Sequence, residues 1–199
     1  MRKNPLVYGM TAEDLANDPL LGSRRNHLIV QSAKRLSDIQ MIRFDPDLGT
    51  LEATELGRIA AKYYVRSASI EIYSDTFRPV MSEADVLALI AASVEFHQVA
   101  VRENEITELK GLMEKTPCQV KGGTSSSAGK VNILLQSYIS RFYVEDFALV
   151  SDMGYVAQNA GRISRALFEI AISRKWANAA LVLLSISKSI ESVSSLAEY

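Results

Sequence analysis

The stretch that decides the fold is Tyr155–Trp176, YVAQNAGRISRALFEIAISRKW. At about 100° per residue, its apolar and polar residues fall on opposite sides of a helix. The apolar side holds Val156, Ala160, Ile163, Leu167 and Ile170, and the polar side holds Tyr155, Gln158, Asn159, Arg162, Arg165 and Glu169. This pattern predicts one long helix, over residues 152–175, with a buried side and a basic side.

The basic side of this helix is a candidate contact for a nucleic-acid strand. Arg162 and Arg165 are three residues apart, so their guanidinium groups can reach successive phosphates of one strand. Asn159 and Gln158 lie one turn earlier, where an amide can hydrogen-bond a base or a ribose. A solvated helix face explains the arginines equally well. Trp176 falls near the same side and can stack on a base, although packing beneath the next helix is the stronger expectation for this residue.

The composition narrows the class of protein. The chain has 199 residues, with 22 Lys and Arg against 23 Asp and Glu. A surface this neutral disfavours nonspecific binding to polyanions, so a nucleic-acid contact has to come from a local patch. No apolar run approaches the ~20 residues of a membrane span, and residues 1–20 lack the features of a secretory signal. We therefore expect a cytoplasmic or nuclear protein without a membrane partner.

Catalytic and metal sites find little support in the sequence. Cys118 is the single cysteine, and with only His27 and His97 there is no zinc-like spacing, so an unreactive thiol is expected. Residues 122–131, GGTSSSAGKV, suggest a phosphate loop. However, their glycine spacing is too long and Val131 replaces the Ser or Thr that binds Mg²⁺, which favours a flexible linker. No cofactor is expected within this chain.

The first quarter of the chain predicts a helix followed by a β-hairpin. The helix is expected over residues 19–40, with Asp18 as its N-cap and Pro19 at its first position. Its inward positions are expected to be Leu21, Leu28, Ile29, Ser32, Leu36 and Ile39. Its basic outer face is more typical of a solvated or protein-docking surface than of DNA recognition. Residues 41–54, MIRFDPDLGTLEAT, contain two extended runs around a Pro/Asp/Gly turn, which predicts the hairpin.

Further amphipathic helices are predicted downstream, so the chain is expected to be mainly α. They fall at residues 54–65, 82–94, 101–113 and 129–142. Ser82 and Asp85 approach a capping box, and Glu103, Glu105 and Glu108 are expected to face water. The Gly- and Ser-rich residues 116–129 are expected to form a flexible loop that divides the helical bundle in two.

Several of these segments together resemble a known family. TELGRIAAKYYV, EFHQVAVRENE, KVNILLQSYIS and YVAQNAGRISRALFEIAISRKW are similar to the winged-helix and helical-bundle region of the large two-cassette superfamily-two helicases, which include the spliceosomal snRNP helicase. NPLVYG, QMIRF, NILLQSYISR and YVAQNAGRI are more similar to the branch formed by the helicase subunit of the activating signal cointegrator complex and its fungal relatives. The resemblance spans residues 4–190.

The resemblance implies a fold and a function. It implies a partial winged helix over residues 1–54 and a helical bundle over residues 55–199, in which the long helix is the ratchet helix that grips a translocating strand. Asn159, Arg162 and Arg165 would contact that strand, with Arg162 foremost. ATP and Mg²⁺ would belong to RecA-like motor domains of the parent protein, because this chain has neither a phosphate loop nor a DExH box.

We therefore expect a non-catalytic module of an ATP-dependent RNA or DNA helicase. Its expected partners are single-stranded nucleic acid, the motor domains of the same polypeptide, and cointegrator-complex or ribosome-associated proteins. Two alternatives stay open at this point, a protein-interaction scaffold within a helicase cassette and the spliceosomal paralogue.

Overall fold

The structure is a computed structural model that describes residues 4–18 and 21–194. The chain divides into two compact units, residues 1–54 and residues 55–199. Its elements are helical apart from one two-stranded antiparallel sheet among the described residues. The predicted mainly α fold with one β-hairpin is confirmed.

The first unit contains a helix followed by the predicted hairpin. Its elements are a 3₁₀ turn (Pro5–Tyr8), α1 (Ala12–Asn17), α2 (Gly22–Asp38), β1 (Ile42–Asp45) and β2 (Thr50–Ala53). In the hairpin, Ile42 pairs with Ala53 and Asp45 pairs with Thr50. The hairpin prediction is therefore confirmed, while the winged-helix interpretation of this unit stays a prediction.

Helix α2 differs from the prediction at its start and on its buried side. It begins at Gly22, after Leu21 in the left-handed conformation. The Asp18 carboxylate still caps the first turn, because it accepts hydrogen bonds from the backbone of Gly22 at 3.0 Å and Ser23 at 2.8 Å. The predicted first position, Pro19, lies outside the described residues.

The inward positions predicted for Ile29 and Ser32 are wrong, since Ile29 is 60 % exposed and Ser32 is exposed as well. Along α2, Ala33 is the one residue that is fully buried. The first unit offers only a two-stranded sheet and short helices as packing partners, so it covers a narrow strip of α2. The apolar periodicity of a helix does not reveal how much of its apolar side a small unit can cover.

The second unit is a helical bundle. Its elements are α3 (Glu55–Lys62), α4 (Ser67–Thr76), α5 (Glu83–Ala91), α6 (Ile106–Lys115), α7 (Ser127–Ile139), α8 (Phe147–Ser173) and α9 (Ala177–Ser194), with 3₁₀ turns at Val94–Phe96 and Glu103–Glu105. The predicted cap of α5 is a full capping box, in which Ser82 and Asp85 each bond the other's backbone N–H.

Helix α7 lies at the centre of this bundle. Residues 129–137 are all buried, and α7 packs against α5, α6, α8 and α9. The loop before α7 is anchored to it, because the backbone N–H of Cys118 donates to Oε1 of Gln136 at 2.9 Å. The expectation that this loop divides the bundle in two is therefore wrong. Its partners α5 and α6 precede the loop and α8 and α9 follow it, so the loop lies within one bundle.

A buried ion cluster joins α7 to α8 and to the turn before α6. Nζ of Lys130 lies 2.5 Å from Glu105 Oε2, 2.8 Å from Asp152 Oδ2 and 2.9 Å from the carbonyl oxygen of Ala100. Arg102 also contacts Glu105, and its Nη1 lies 3.1 Å from Asp152 Oδ2. Lys130 is the lysine of the phosphate-loop alternative, and its place in this cluster does not fit a nucleotide phosphate site.

The outward position predicted for Glu105 is consequently wrong, since its side chain is fully buried. The prediction extended a helical period through residues 101–113, whereas α6 begins only at Ile106. Glu105 belongs to the preceding 3₁₀ turn, which has a different period and directs the carboxylate inward. Glu103 is exposed as expected. Glu108 is half-buried and accepts the backbone N–H groups of Glu145 and Asp146.

Candidate nucleic-acid interface

Helix α8 is longer at its start than the sequence predicted. It has 27 residues, which gives a length of about 40 Å at the usual rise. The Asp146 carboxylate caps it by accepting the N–H groups of Ala148 at 2.7 Å and Leu149 at 3.0 Å. All five apolar residues predicted to face the core are at most 2 % exposed, so the predicted buried side is confirmed.

The opposite side of α8 forms part of an open groove of about 370 Å³. The groove is lined by Tyr63, which follows α3, by Ala157, Gln158, Gly161, Arg162 and Arg165 of α8, and by Ile190 and Glu191 of α9. We call this feature the α8 groove. It brings together three residues predicted as strand contacts, Gln158, Arg162 and Arg165. The small residues Ala157 and Gly161 also line the groove, although both are largely buried.

The side chain of Arg162 binds the backbone at the end of α3. Its Nη1 donates to the carbonyl oxygens of Tyr63 and Tyr64, both at 2.6 Å, and its Nη2 donates to Oδ1 of Asn159 at 2.8 Å. Asn159 in turn donates to the carbonyl oxygen of Tyr155 at 3.0 Å. The last carbonyl groups of a helix lack intrahelical partners and attract a cation. This geometry gives Arg162 and Asn159 a structural role at α3 and moves the expected phosphate contact to Arg165.

Arg165 is the more accessible arginine of the α8 groove. Its Nη2 lies 2.7 Å from Oε1 of Glu191, and the two side chains are 53 % and 50 % exposed. An exposed ion pair of this kind contributes little to stability and separates readily. Gln158 is also exposed, and it lies two turns before Arg165 on α8. Arg165 and Gln158 are thus the predicted residues that face solvent.

Tyr64 is a candidate residue that sequence reasoning missed. Tyr64 is 83 % exposed, and its carbonyl oxygen is one of the two that Arg162 binds. Tyr64 follows α3 in the left-handed conformation, with Val65 N–H bonded to the carbonyl oxygen of Ala60. Arg141 after α7 and Lys175 after α8 have the same conformation, so the turn itself is common here. What distinguishes Tyr64 is its strongly exposed aromatic side chain, of a type that can stack on a base.

The acidic residue on this side of α8 is neutralised by its neighbours. Oε1 of Glu169 accepts from Nζ of Lys62 at 2.5 Å and from the hydroxyl of Tyr63 at 2.7 Å. The Lys62 ammonium and the Tyr63 hydroxyl together hold the pKa of Glu169 below its usual value. This carboxylate is therefore paired at neutral pH, which limits its repulsion of a nearby phosphate.

Trp176 lies beyond the end of α8 and is packed. Its ring meets that of the buried Phe77 edge-on, with centroids 5.1 Å apart, and the guanidinium carbon of Arg174 lies 4.9 Å from the ring centroid. Trp176 is fourteen residues after Arg162, about 20 Å along the helix direction. The structure therefore does not bring it into the α8 groove, and its contacts favour the packing alternative over base stacking.

The remaining candidate sites stay outside this interface. Sγ of Cys118 lies 3.9 Å from Oε2 of Glu83. Burial raises the pKa of the Cys118 thiol, and the Glu83 carboxylate adds to this effect. In the described ranges, no three His, Cys, Asp or Glu side chains gather as metal ligands do. No helix formed by those residues has both the length and the apolar character needed to cross a bilayer.

Comparison with known proteins places this arrangement in a family. The Sec63 Brl domain family matches residues 53–194, which include every residue that lines the α8 groove. The chain belongs to the Sec63 Brl domain family. As a Sec63 Brl domain, it carries the helical bundle that the family resemblance implied.

Three relatives illustrate the similarity of this Sec63 Brl domain to longer proteins. It is 43 % identical over 193 residues to activating signal cointegrator 1 complex subunit 3 of Homo sapiens, covering 96 % of this chain and 9 % of that protein. It is 46 % identical over 192 residues to the RQC trigger complex helicase of Saccharomyces cerevisiae, covering 96 % and 10 %. It is 39 % identical over 191 residues to the U5 small nuclear ribonucleoprotein 200 kDa helicase of Homo sapiens, covering 96 % and 9 %.

The predicted resemblance to this group of helicases is confirmed by these identities. The chain spans about a tenth of the length of each of these relatives. It is homologous to one module within proteins whose names describe them as helicases or as subunits of larger complexes.

Proposed function

We propose that this Sec63 Brl domain holds single-stranded nucleic acid as a non-catalytic module of an ATP-dependent RNA or DNA helicase, with α8 acting as the ratchet helix. The observation that carries the proposal is the α8 groove, which brings the half-exposed Arg165 and the exposed Gln158 together on one side of α8. The exposed Tyr64 directly follows Tyr63, which lines this groove. The helicase names of the yeast and spliceosomal relatives support the class of parent protein.

The α8 groove offers the two kinds of contact that a single strand needs. Arg165 supplies a cation for a phosphate, and Gln158 supplies an amide two turns away, about 10 Å along α8. Tyr64 supplies a stacking surface, and stacking on an aromatic side chain contributes roughly 1–3 kcal/mol per base without selecting a sequence. A grip of this kind tolerates any sequence, as a translocating motor requires.

The chemistry of ATP hydrolysis belongs elsewhere in the parent protein. ATP and Mg²⁺ would be bound by RecA-like motor domains of the same polypeptide, which are the first partners of this module. The human and yeast relatives are named as parts of complexes, which supports further protein partners of that kind. The partners proposed are cointegrator-complex or ribosome-associated proteins, in the cytoplasm, the nucleus or both.

Binding of a fluorescent single-stranded oligonucleotide, measured by anisotropy over a range of salt concentrations, tests the proposal. Arg165→Ala is expected to weaken binding and to reduce the salt slope by about 0.7, since one phosphate contact is lost. Arg43→Ala is the matched control, because Arg43 forms a similar exposed ion pair with Glu52 at 3.4 Å but does not line the α8 groove. Equal effects of the two substitutions would contradict the proposal.

A protein-interaction scaffold is the second candidate function, and one observation favours it. Tyr143 and Phe147, at the start of α8, are both strongly exposed aromatic residues. Strongly exposed apolar side chains are common at protein–protein interfaces. If Arg165→Ala leaves the affinity for the oligonucleotide unchanged, the scaffold function is favoured. The spliceosomal paralogue also stays an alternative for the parent protein.

A further inference from the structure

Among the described residues that line the α8 groove, Glu191 is the one carboxylate. It comes from α9, and its contact with Nη2 of Arg165 occupies one of the guanidinium donors available to a phosphate. Since the other arginine of the groove is bonded to the carbonyl groups after α3, Glu191 contacts the arginine that remains accessible. A phosphate that binds at Nη2 of Arg165 has to displace this carboxylate.

We propose that Glu191 is a built-in counterion that nucleic acid must displace from Arg165, and that it thereby sets the affinity of the groove and its selectivity for strands over single anions. This inference rests on the proposed function and names a specificity-determining residue within the same site. The described residues of the groove lining include two arginines and one glutamate, which gives them a net charge of one positive unit. Without the Glu191 carboxylate, the net charge would be two.

Displacement is physically accessible because the ion pair is half exposed on both sides. Separating such a pair lowers affinity by no more than about fivefold. A strand compensates for this loss with contacts that a single phosphate lacks, such as a hydrogen bond from Gln158, which lines the same groove. A lone phosphate or mononucleotide gains only the Arg165 contact, for which Glu191 already competes within the same molecule. The counterion therefore selects ligands that make several contacts at once.

The closing experiment compares Glu191→Gln with wild type in the full chain, using the same single-stranded oligonucleotide. Loss of the carboxylate is expected to tighten binding by about two- to fivefold and to increase the salt slope by about 0.7, since Arg165 becomes free for a phosphate. Combining Glu191→Gln with Arg165→Ala is expected to return binding to the level of Arg165→Ala alone. Inorganic phosphate is expected to displace the oligonucleotide measurably from the Glu191→Gln protein but not from the wild type.

Glu52→Gln is the matched control, because it removes one negative charge from an exposed ion pair outside the α8 groove. Equal tightening by Glu52→Gln and Glu191→Gln would overturn the counterion proposal, since a general charge effect would explain both. If Glu191→Gln binds the oligonucleotide as the wild type does, while Arg165→Ala still weakens binding, the counterion proposal is overturned and the proposed function stands. If no variant and no wild-type protein binds the oligonucleotide, the proposed function itself fails.

Discussion

Lys130 illustrates how a single residue can connect distant parts of this chain. Its side chain is fully buried, and it holds a carboxylate from the turn before α6 and another from α8. Buried charges are costly to desolvate and are tolerated only with close partners. The Lys130 cluster therefore holds the first part of α8 in place through Asp152. The predicted strand contacts lie further along the same helix.

Lys130→Met is expected to lower the free energy of unfolding by about 3 kcal/mol, because Glu105 stays buried with one cationic partner fewer. Urea denaturation measures this change. Lys121→Met is the control, since Lys121 pairs with Asp85 at the surface and should cost less than about 1 kcal/mol. Similar losses of unfolding free energy for both variants would show that the buried cluster stabilises the protein no more than a surface ion pair does.

Glu105 makes the stability of the protein depend on pH. Burial alone would raise the pKa of Glu105, but hydrogen bonds from Lys130 and Arg102 outweigh burial and hold this pKa below its usual value. The folded pKa is thus depressed, so the stabilisation is fully present above the usual value of 4.5 and is lost as the pH falls through the folded pKa.

We expect the melting temperature of the wild type to fall on acidification below the usual carboxyl range, and Glu105→Gln to be less stable at neutral pH but to lose less on acidification. Thermal denaturation followed by circular dichroism at a series of pH values measures both effects. Parallel pH profiles for the two proteins would assign the acid sensitivity to other carboxylates, such as Glu169, whose pKa is also lowered.

Helix α8 shows what an element adds to its residues. Its buried side could be predicted because five apolar residues recur at helical spacing over a long segment. Its start was placed too late, although Asp146 before the apolar Leu149 is a capping signal present in the sequence. Its polar side could not be resolved further, because the partners of Arg162 and Arg165 come from α3 and α9.

Arg162→Ala is expected to separate the structural role of this arginine from strand binding. Loss of its bonds to Tyr63 and Tyr64 leaves partly buried carbonyl groups without a charged donor, which costs roughly 1.5–3 kcal/mol of stability. Arg165→Ala, which breaks an exposed pair, should leave stability nearly unchanged. Urea denaturation of both variants measures the difference, and equal stabilities would return Arg162 to the role of a strand contact.

At the scale of the whole molecule, burial is concentrated around α7 in the second unit. Residues 129–137 are buried on every side of the helix, whereas α3 leaves much of its surface exposed. Opening of the backbone is most costly where the most contacts are lost. The centre of the second unit should therefore be its most stable part.

Native-state hydrogen exchange of the intact chain is expected to show the strongest protection in residues 129–137 and early exchange in residues 119–126 of the preceding loop. Mass spectrometry of peptic fragments resolves these segments. Stronger protection of α3 than of α7 would contradict the central position of α7 in the bundle.

The mainly α fold, the hairpin and the buried side of α8 could be predicted from the amino-acid sequence, because local periodicity, caps and turns are specified by neighbouring residues in the chain. Similarity to a group of helicases could be recognised from several separated motifs. The three-dimensional structure was needed to show that Glu105 is buried, that Arg162 binds the end of α3, that Arg165 contacts Glu191 and that Tyr64 is exposed. Each of these depends on contacts between segments far apart in the chain, and helical periodicity does not specify which segments meet.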